Sequence, residues 1–269
     1  MDAHGHYQAG HLREAIAAVT EEVKRHPGDP SRRGFLCELL CFAGELERVD
    51  RQLEALGHQS PDVAMGVGLF RHLVRAEQAR QQFYAEGRLP EFLGEPSACL
   101  RLHLEASIRL RDGQADEAAR LLDQAEEQRP RAAGTCDGRA FEDLRDLDDL
   151  TASFFEVLTS NGKYYWIPIE QVESIEFRVP TRARDLLWMR AHMIVRDGPD
   201  GEVFLPTLYA DAPAEAEDRV RLGRVTEWRG GDGEPVRGVG QRTFLVGDEP
   251  RPILELVSLT IDGPGPAPA

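Results

Sequence analysis

The chain has 269 residues, 41% of them hydrophobic, enough to bury a core and to exclude global disorder. Its 32 basic and 47 acidic residues leave a net charge of −15. That balance argues against nucleic acid or an anionic membrane as the main partner, because both reward a basic surface. No apolar run approaches the ~18–20 residues of a membrane span. Met1-Asp2-Ala3-His4 has neither a basic nor an apolar leader pattern, so a cytoplasmic location is expected. Cys37, Cys41, Cys99 and Cys136 are too sparse for a disulfide scaffold and lack CxxC spacing.

The first half reads as a repeat. Gly10, Gly44 and Gly113 each separate two helical patterns, and Pro27, Pro61 and Pro130 each follow 17 residues later. The first two glycines are 34 apart and the next two 69 apart. A period of 34 is that of tetratricopeptide repeats, with a plain helical-hairpin bundle as the alternative. Glycine supplies the positive φ of a tight turn, and proline stops the helix that follows. Leu12, Ile16, Val19 and Val23 fall on one helical face. The pattern predicts helices over 11–26, 31–43, 46–56, 62–86, 97–111 and 115–129, with an incomplete first unit and a degenerate one near 62–93. Cys37 and Cys41 share a helix face and read as small hydrophobes. His4, His6 and His11 lack the further ligands that a metal site needs.

Residues 131–138 read as a small-residue linker. Phe141, Leu144, Leu147 and Leu150 recur every three residues, predicting a short acidic helix with a solvated face. Between Asp137 and Glu156 stand 7 acidic and 2 basic residues. Asp146, Asp148 and Asp149 lack the glycine and bidentate glutamate of a calcium loop. From 152 onward the pattern turns to strands: 153–158, 163–167, 172–178, 186–195, 202–208, 224–228, 241–247 and 252–260. Asn161-Gly162 and Asp197-Gly198-Pro199-Asp200-Gly201 mark tight turns. Short connections predict a mostly antiparallel sheet or small barrel. The fold class is therefore α+β. A tetratricopeptide-like helical domain is expected over 1–133, an acidic linker or helix over 134–150, a β-rich domain over 151–262 and a disordered tail over 263–269.

Pro180–Trp188, Leu222–Trp228 and Gly238–Phe244 each contain an arginine near an aromatic residue. Arg182, Arg184, Asp185, Trp188, Arg224, Trp228 and Arg242 are the candidate functional residues. Three readings stay open. The arginines lock the β domain through bidentate pairs with Asp185, Glu227 or backbone carbonyls. Or they form a partner surface with Trp188 and Trp228 as anchors. Or they line a ligand or anion pocket. GxSxG, HExxH, GxxxxGK[ST] and GxGxxG are absent from the sequence. Gly238-Val239-Gly240 lacks the third glycine of a dinucleotide loop. His192 reads as a half-buried strand residue. No catalytic, cofactor or metal residue is assigned.

Gly162–Pro168, Arg184–Trp188, Leu205–Tyr209 and Gly240–Arg242, following a repeat-type helical half, resemble the ImpE (SciE, TagJ) accessory proteins of bacterial type VI secretion. The resemblance runs from Gly10 to about Ile261. It implies a non-enzymatic adaptor that binds a helix of the small contractile-sheath subunit and associates with the AAA+ ATPase that recycles the sheath. It supplies no catalytic or contact residue to carry over. A ligand-binding or enzymatic module built on the Arg/Trp cluster is the alternative function, and a self-associating scaffold is a third.

Overall fold

The structure, a computed structural model, describes residues 1–57 and 61–263. The expected tail falls, apart from Gly263, outside the described residues. Helices α1 (Ala3–Ala9), α2 (Leu12–Arg25), α3 (Pro30–Phe42), α4 (Leu46–Gly57) and α5 (Pro61–Glu86) pack each against the next. Helices α6 (Ala98–Arg111) and α7 (Ala115–Gln128) form a further hairpin. The glycines of the period sit at the hairpin turns with φ of +87° at Gly10, +72° at Gly44 and +74° at Gly113. Ala15, Val49 and Ala118, five residues beyond each turn, are buried where neighbouring helices touch. The degenerate unit has no turn at all. Gln78-Ala79 stands where a third glycine would fall, and α5 runs on unbroken for 26 residues.

The second half is β-rich. Strands β1 (Gly134–Cys136), β2 (Arg139–Phe141), β3 (Leu144–Asp146), β4 (Phe154–Leu158), β5 (Tyr164–Pro168), β6 (Val172–Phe177), β7 (Trp188–Val195) and β8 (Asp200–Pro206) precede a short helix α8 (Asp218–Arg221). Strands β9 (Thr226–Gly231), β10 (Glu234–Gly240), β11 (Thr243–Val246), β12 (Glu249–Pro252) and β13 (Ser258–Ile261) follow. An 8-stranded sheet has the order β2-β1-β13-β6-β7-β8-β4-β5, and its paired strands are antiparallel. β12-β11-β3 form a second sheet and β10-β9 a ribbon.

The main sheet is covered on both faces. Phe154, Leu158, Tyr164, Trp166, Trp188 and Phe204 join the core of the helical array. Their neighbours Phe155, Val157, Ile167, Met189 and Leu205 join a second core beneath the three-stranded sheet. This is why β4, Phe154-Phe155-Glu156-Val157-Leu158, is buried at every position rather than alternating.

Residues 134–150 correct the expected linker and acidic helix. β1 pairs with β13 and β2, and β3 pairs with β11. The inward set is Leu144, Asp146, Asp148 and Leu150, a period of two whose middle members are acids. Nor is the acidic face solvated: Asp146 and Asp148 are 0% and 1% exposed. Of the 7 acids from Asp137 to Glu156, all but Glu142 are paired with arginine, with Asp146, Asp148 and Glu156 fully buried. Of the expected 252–260 strand, Pro252 ends β12, Ile253–Glu255 form a 3₁₀ turn, and the chain becomes a strand only at β13, in a different sheet.

Candidate functional site

Where α5 lies against the sheet, the seam holds a cluster of buried charges. Glu156, in the middle of β4, is 1% exposed and faces α5. Arg80 reaches it from α5 with two bonds, Nε to Oε1 at 3.0 Å and Nη2 to Oε2 at 2.9 Å. Arg80 also donates to Glu77 at 3.1 Å and to the carbonyl of Leu208 at 3.0 Å. Tyr84 donates to Glu156 at 3.0 Å, and Tyr164 and Arg242 donate to it as well. Arg242 carries the chain onward to Asp146 at 2.7 Å, which also accepts from Tyr209 at 2.7 Å and Thr151 at 3.0 Å. Asp148 is held by Arg237 and by the backbone N–H of Gly238. The tryptophans attach at the edge: Trp188 donates to Glu77 at 3.0 Å and Trp166 to the Tyr164 hydroxyl at 2.6 Å.

Charges this deep survive only because they are paired and hydrogen-bonded. Burial alone would raise the Glu156 carboxyl, but the guanidiniums of Arg80 and Arg242 hold it down at about 2. At Asp146 burial prevails over Arg242, and its carboxyl is pushed up to about 6. Burial raises Glu77 too, against the pull of Arg80. Gly238 fits the same site sterically: a Cβ there would lie 2.2 Å from the Tyr209 ring.

A strap between Tyr209 and Arg224 ties the β domain to the hairpin turns. Pro213 packs where a Gly44 Cβ would come within 3.0 Å. Asp218 accepts the backbone N–H of Arg13 at 3.0 Å, and Arg221 donates to the carbonyl of Ala43. Arg224 donates to the carbonyls of Tyr7 and Gln8, the open C-terminal end of α1.

The structure scatters the sequence candidates over three places. Arg242 and Trp188 belong to the buried cluster. Arg182, Arg184 and Asp185 form a 3₁₀ turn with Ala183 and Leu186 beside Trp188, where Asp185 accepts backbone N–H groups and Arg184 stacks over Phe70. Arg224 caps α1, while Trp228 stands 42% exposed on the β9–β10 ribbon, edge-on to Tyr209. Arg242 pairs with Asp146 and Glu156 rather than with Asp185 or Glu227. No single cleft gathers Arg182, Arg224 and Arg242. His192 is half-buried on β7 and bonded to Asp200 at 2.7 Å. Cys37 and Cys41 are buried in the helical core, where burial pushes the Cys37 thiol up to about 12. Sequence reading missed Glu77, Arg80, Tyr84 and Glu156 as a unit. The available signal was charge at inward positions: Glu77 and Arg80 on the buried face of α5, and Glu156 inside an apolar strand.

Fold and site together define a class: a helical-hairpin array fused through a buried charge cluster to a two-sheet β domain. Residues 138–260 match the ImpE protein family. Over 238 residues the chain is 31% identical to the type VI secretion system accessory component TagJ of Pseudomonas aeruginosa, covering 88% of this chain and 83% of that protein. A crystal structure of protein VPA1032 from Vibrio parahaemolyticus superposes with a TM-score of 0.91 at 29% identity over 98% of both chains. The chain belongs to the ImpE/TagJ family of type VI secretion accessory proteins. Among the described residues no helix is long and apolar enough to cross a membrane.

Proposed function

We propose that this protein is a non-enzymatic adaptor of type VI secretion that works in the cytoplasm. Its helical array takes an amphipathic helix of the small contractile-sheath subunit, and the protein associates with the AAA+ ATPase that recycles the sheath. The observation that carries the reading is the relationship to a type VI accessory component along 88% of the chain. Two features of the fold support binding over catalysis. The acids and arginines of the seam are engaged with one another, so they are occupied in holding the two halves together. The array also offers an open groove of about 540 Å³ between the start of α4 and the last turns of α5. Gln78, Gln81 and Gln82 form one wall, with Glu47 and Glu86 at the rim. Arg48 and Arg51 also line it, so the groove is polar and of mixed charge, which suits the polar flank of a helix lying on repeat hairpins.

The test is a pulldown of the intact small sheath subunit, and separately of the ATPase, on the full-length protein. Retention of both is expected. Failure to retain the sheath subunit would remove the sheath reading, and failure to retain the ATPase would remove its second half.

A further inference from the structure

The segment Pro180–Trp188 frames a cavity that the adaptor reading leaves without a task. It opens between the first half of α5 and the start of β7, has a volume of about 230 Å³, and is floored by Leu73, Trp188 and Phe204. All of these floor side chains are buried. A space of this size takes one large apolar side chain. Over the floor stand guanidiniums of two kinds. Arg190 and Arg178 are bonded to Glu202 and Glu176. Arg182 and Arg184 form no ion pair with a carboxylate among the described residues.

Neither acid that faces this second pair, Asp185 or Glu38, forms an ion pair with it among the described residues. Asp185 accepts at Oδ2 the N–H of Thr181 at 2.9 Å, the Thr181 hydroxyl at 3.1 Å and the N–H of Arg182 at 3.1 Å. Glu38, on α3, has its carboxyl held up at about 7 by burial. Arg184 lies 4.9 Å from the centroid of the Phe70 ring. Burial, together with the charge of Arg182, holds Arg184 below the usual guanidinium range, as expected of a cation short of counter-charge. At the mouth Val179 is 85% exposed, which extends apolar surface beyond the cavity.

We propose that this cavity docks a partner polypeptide that presents one large apolar side chain beside a carboxylate. The side chain fills the floor of Leu73, Trp188 and Phe204. The carboxylate accepts from both Arg182 and Arg184, whose planar guanidiniums suit a carboxylate. Aromatic and arginine side chains around a pocket are the composition of interface hot spots. A polypeptide rather than a free acid is the occupant, because Val179 and the exposed Arg182 offer contact outside the cavity that a small molecule would leave in water. The site uses Leu69 and Leu73 of α5, whereas the α4–α5 groove uses Gln78 onward, so it stands whether or not that groove binds a sheath helix.

The probe is N-acetyl-Glu-(4-fluoro-Phe)-amide, titrated into the full-length protein and followed by fluorine NMR. Saturable broadening of the resonance is expected. The Gln analogue is expected to bind about tenfold more weakly, the effect of losing one charge-assisted contact. Arg182→Gln and Arg184→Gln should each weaken the Glu probe by a similar factor and leave the Gln analogue unmoved. Arg182 is exposed and its backbone makes the structural contacts, so its variant keeps the test valid if the Arg184 variant unfolds. Equal binding of the Glu and Gln probes, indifference to Arg182→Gln, or no broadening of either probe would overturn the proposal. So would tighter binding of free 3-(4-fluorophenyl)propionate, which would assign the cavity to a small acid instead.

Discussion

Replacing Arg80 by Met tests the seam most sharply. The methionine keeps an unbranched stem and removes the guanidinium, with its two bonds to Glu156 and one each to Glu77 and the Leu208 carbonyl. The two acids fare differently. Glu156 keeps Arg242 and two tyrosines, whereas among the described residues Glu77 keeps only the Trp188 indole. Breaking a buried pair costs about 3–5 kcal/mol; with Glu156 still compensated, the low end, about 3 kcal/mol, is expected. The cost should also depend on pH. Glu77 already has a raised pKa, and removing its cation raises it further. A carboxyl raised in the folded state loses stability as pH rises above its unfolded value of about 4.3. The penalty should therefore be smaller at pH 5 than at pH 8, and adding Glu77→Gln should recover part of it. Urea unfolding reads this out with two probes: far-UV circular dichroism for the helices, and tryptophan fluorescence weighted to Trp166 and Trp188 at the seam. Coincident transitions are expected for the parent protein, since one core spans array and sheet. A loss below about 1 kcal/mol, or a penalty that does not change with pH, would refute the reasoning.

His103 on α6 is buried edge-on to Phe154, and burial holds it down at about 4. Its stability contribution is present above the unfolded pKa of about 6.5 and is lost as pH falls toward the folded value, by about 3 kcal/mol in all. His103→Gln should flatten that part of a stability profile measured between pH 7 and 4, and an unchanged slope would contradict the assignment. Gly44→Ala and Gly113→Ala share a positive-φ penalty of about 1–2 kcal/mol, but only at Gly44 would the new methyl meet Pro213. Gly44→Ala should therefore have the lower melting temperature, and equal values would argue against the docked strap. Arg224→Ala should cost no more than about 1 kcal/mol yet speed hydrogen exchange of the α1 amides. If α1 protection stays intact, Arg224 is not its cap.

The helical half was legible because its signals are local. Glycine turns, proline stops and an amphipathic stripe each act within a few residues, and helices α2 to α7 fall within about two residues of their expected ends. The 26-residue α5 shows where a repeat period misleads, since no turn residue stands at 78–79 to break it. Residues 134–150 were misread for a different reason. Two of the inward positions of that strand and turn are Asp146 and Asp148, so hydrophobic alternation vanishes while burial alternation persists. What makes those acids tolerable is Arg242 and Arg237, about ninety residues away in sequence. The charge cluster was invisible for the same reason: it joins α5, β3, β4 and the segment before β11. The arginines of the motifs stand out in the sequence, but the partners of Arg242, Asp146 and Glu156, do not follow from spacing.

The central claim is that the protein recognises a sheath helix, and calorimetric titration of the full-length protein with the isolated amphipathic helix of the small sheath subunit tests it most directly. Saturable binding with a Kd at or below tens of micromolar, weakened by Gln78→Ala together with Gln82→Ala and unchanged by Arg182→Gln, is the expected result. No binding at about 100 μM helix, or binding indifferent to the α4–α5 groove, would contradict it.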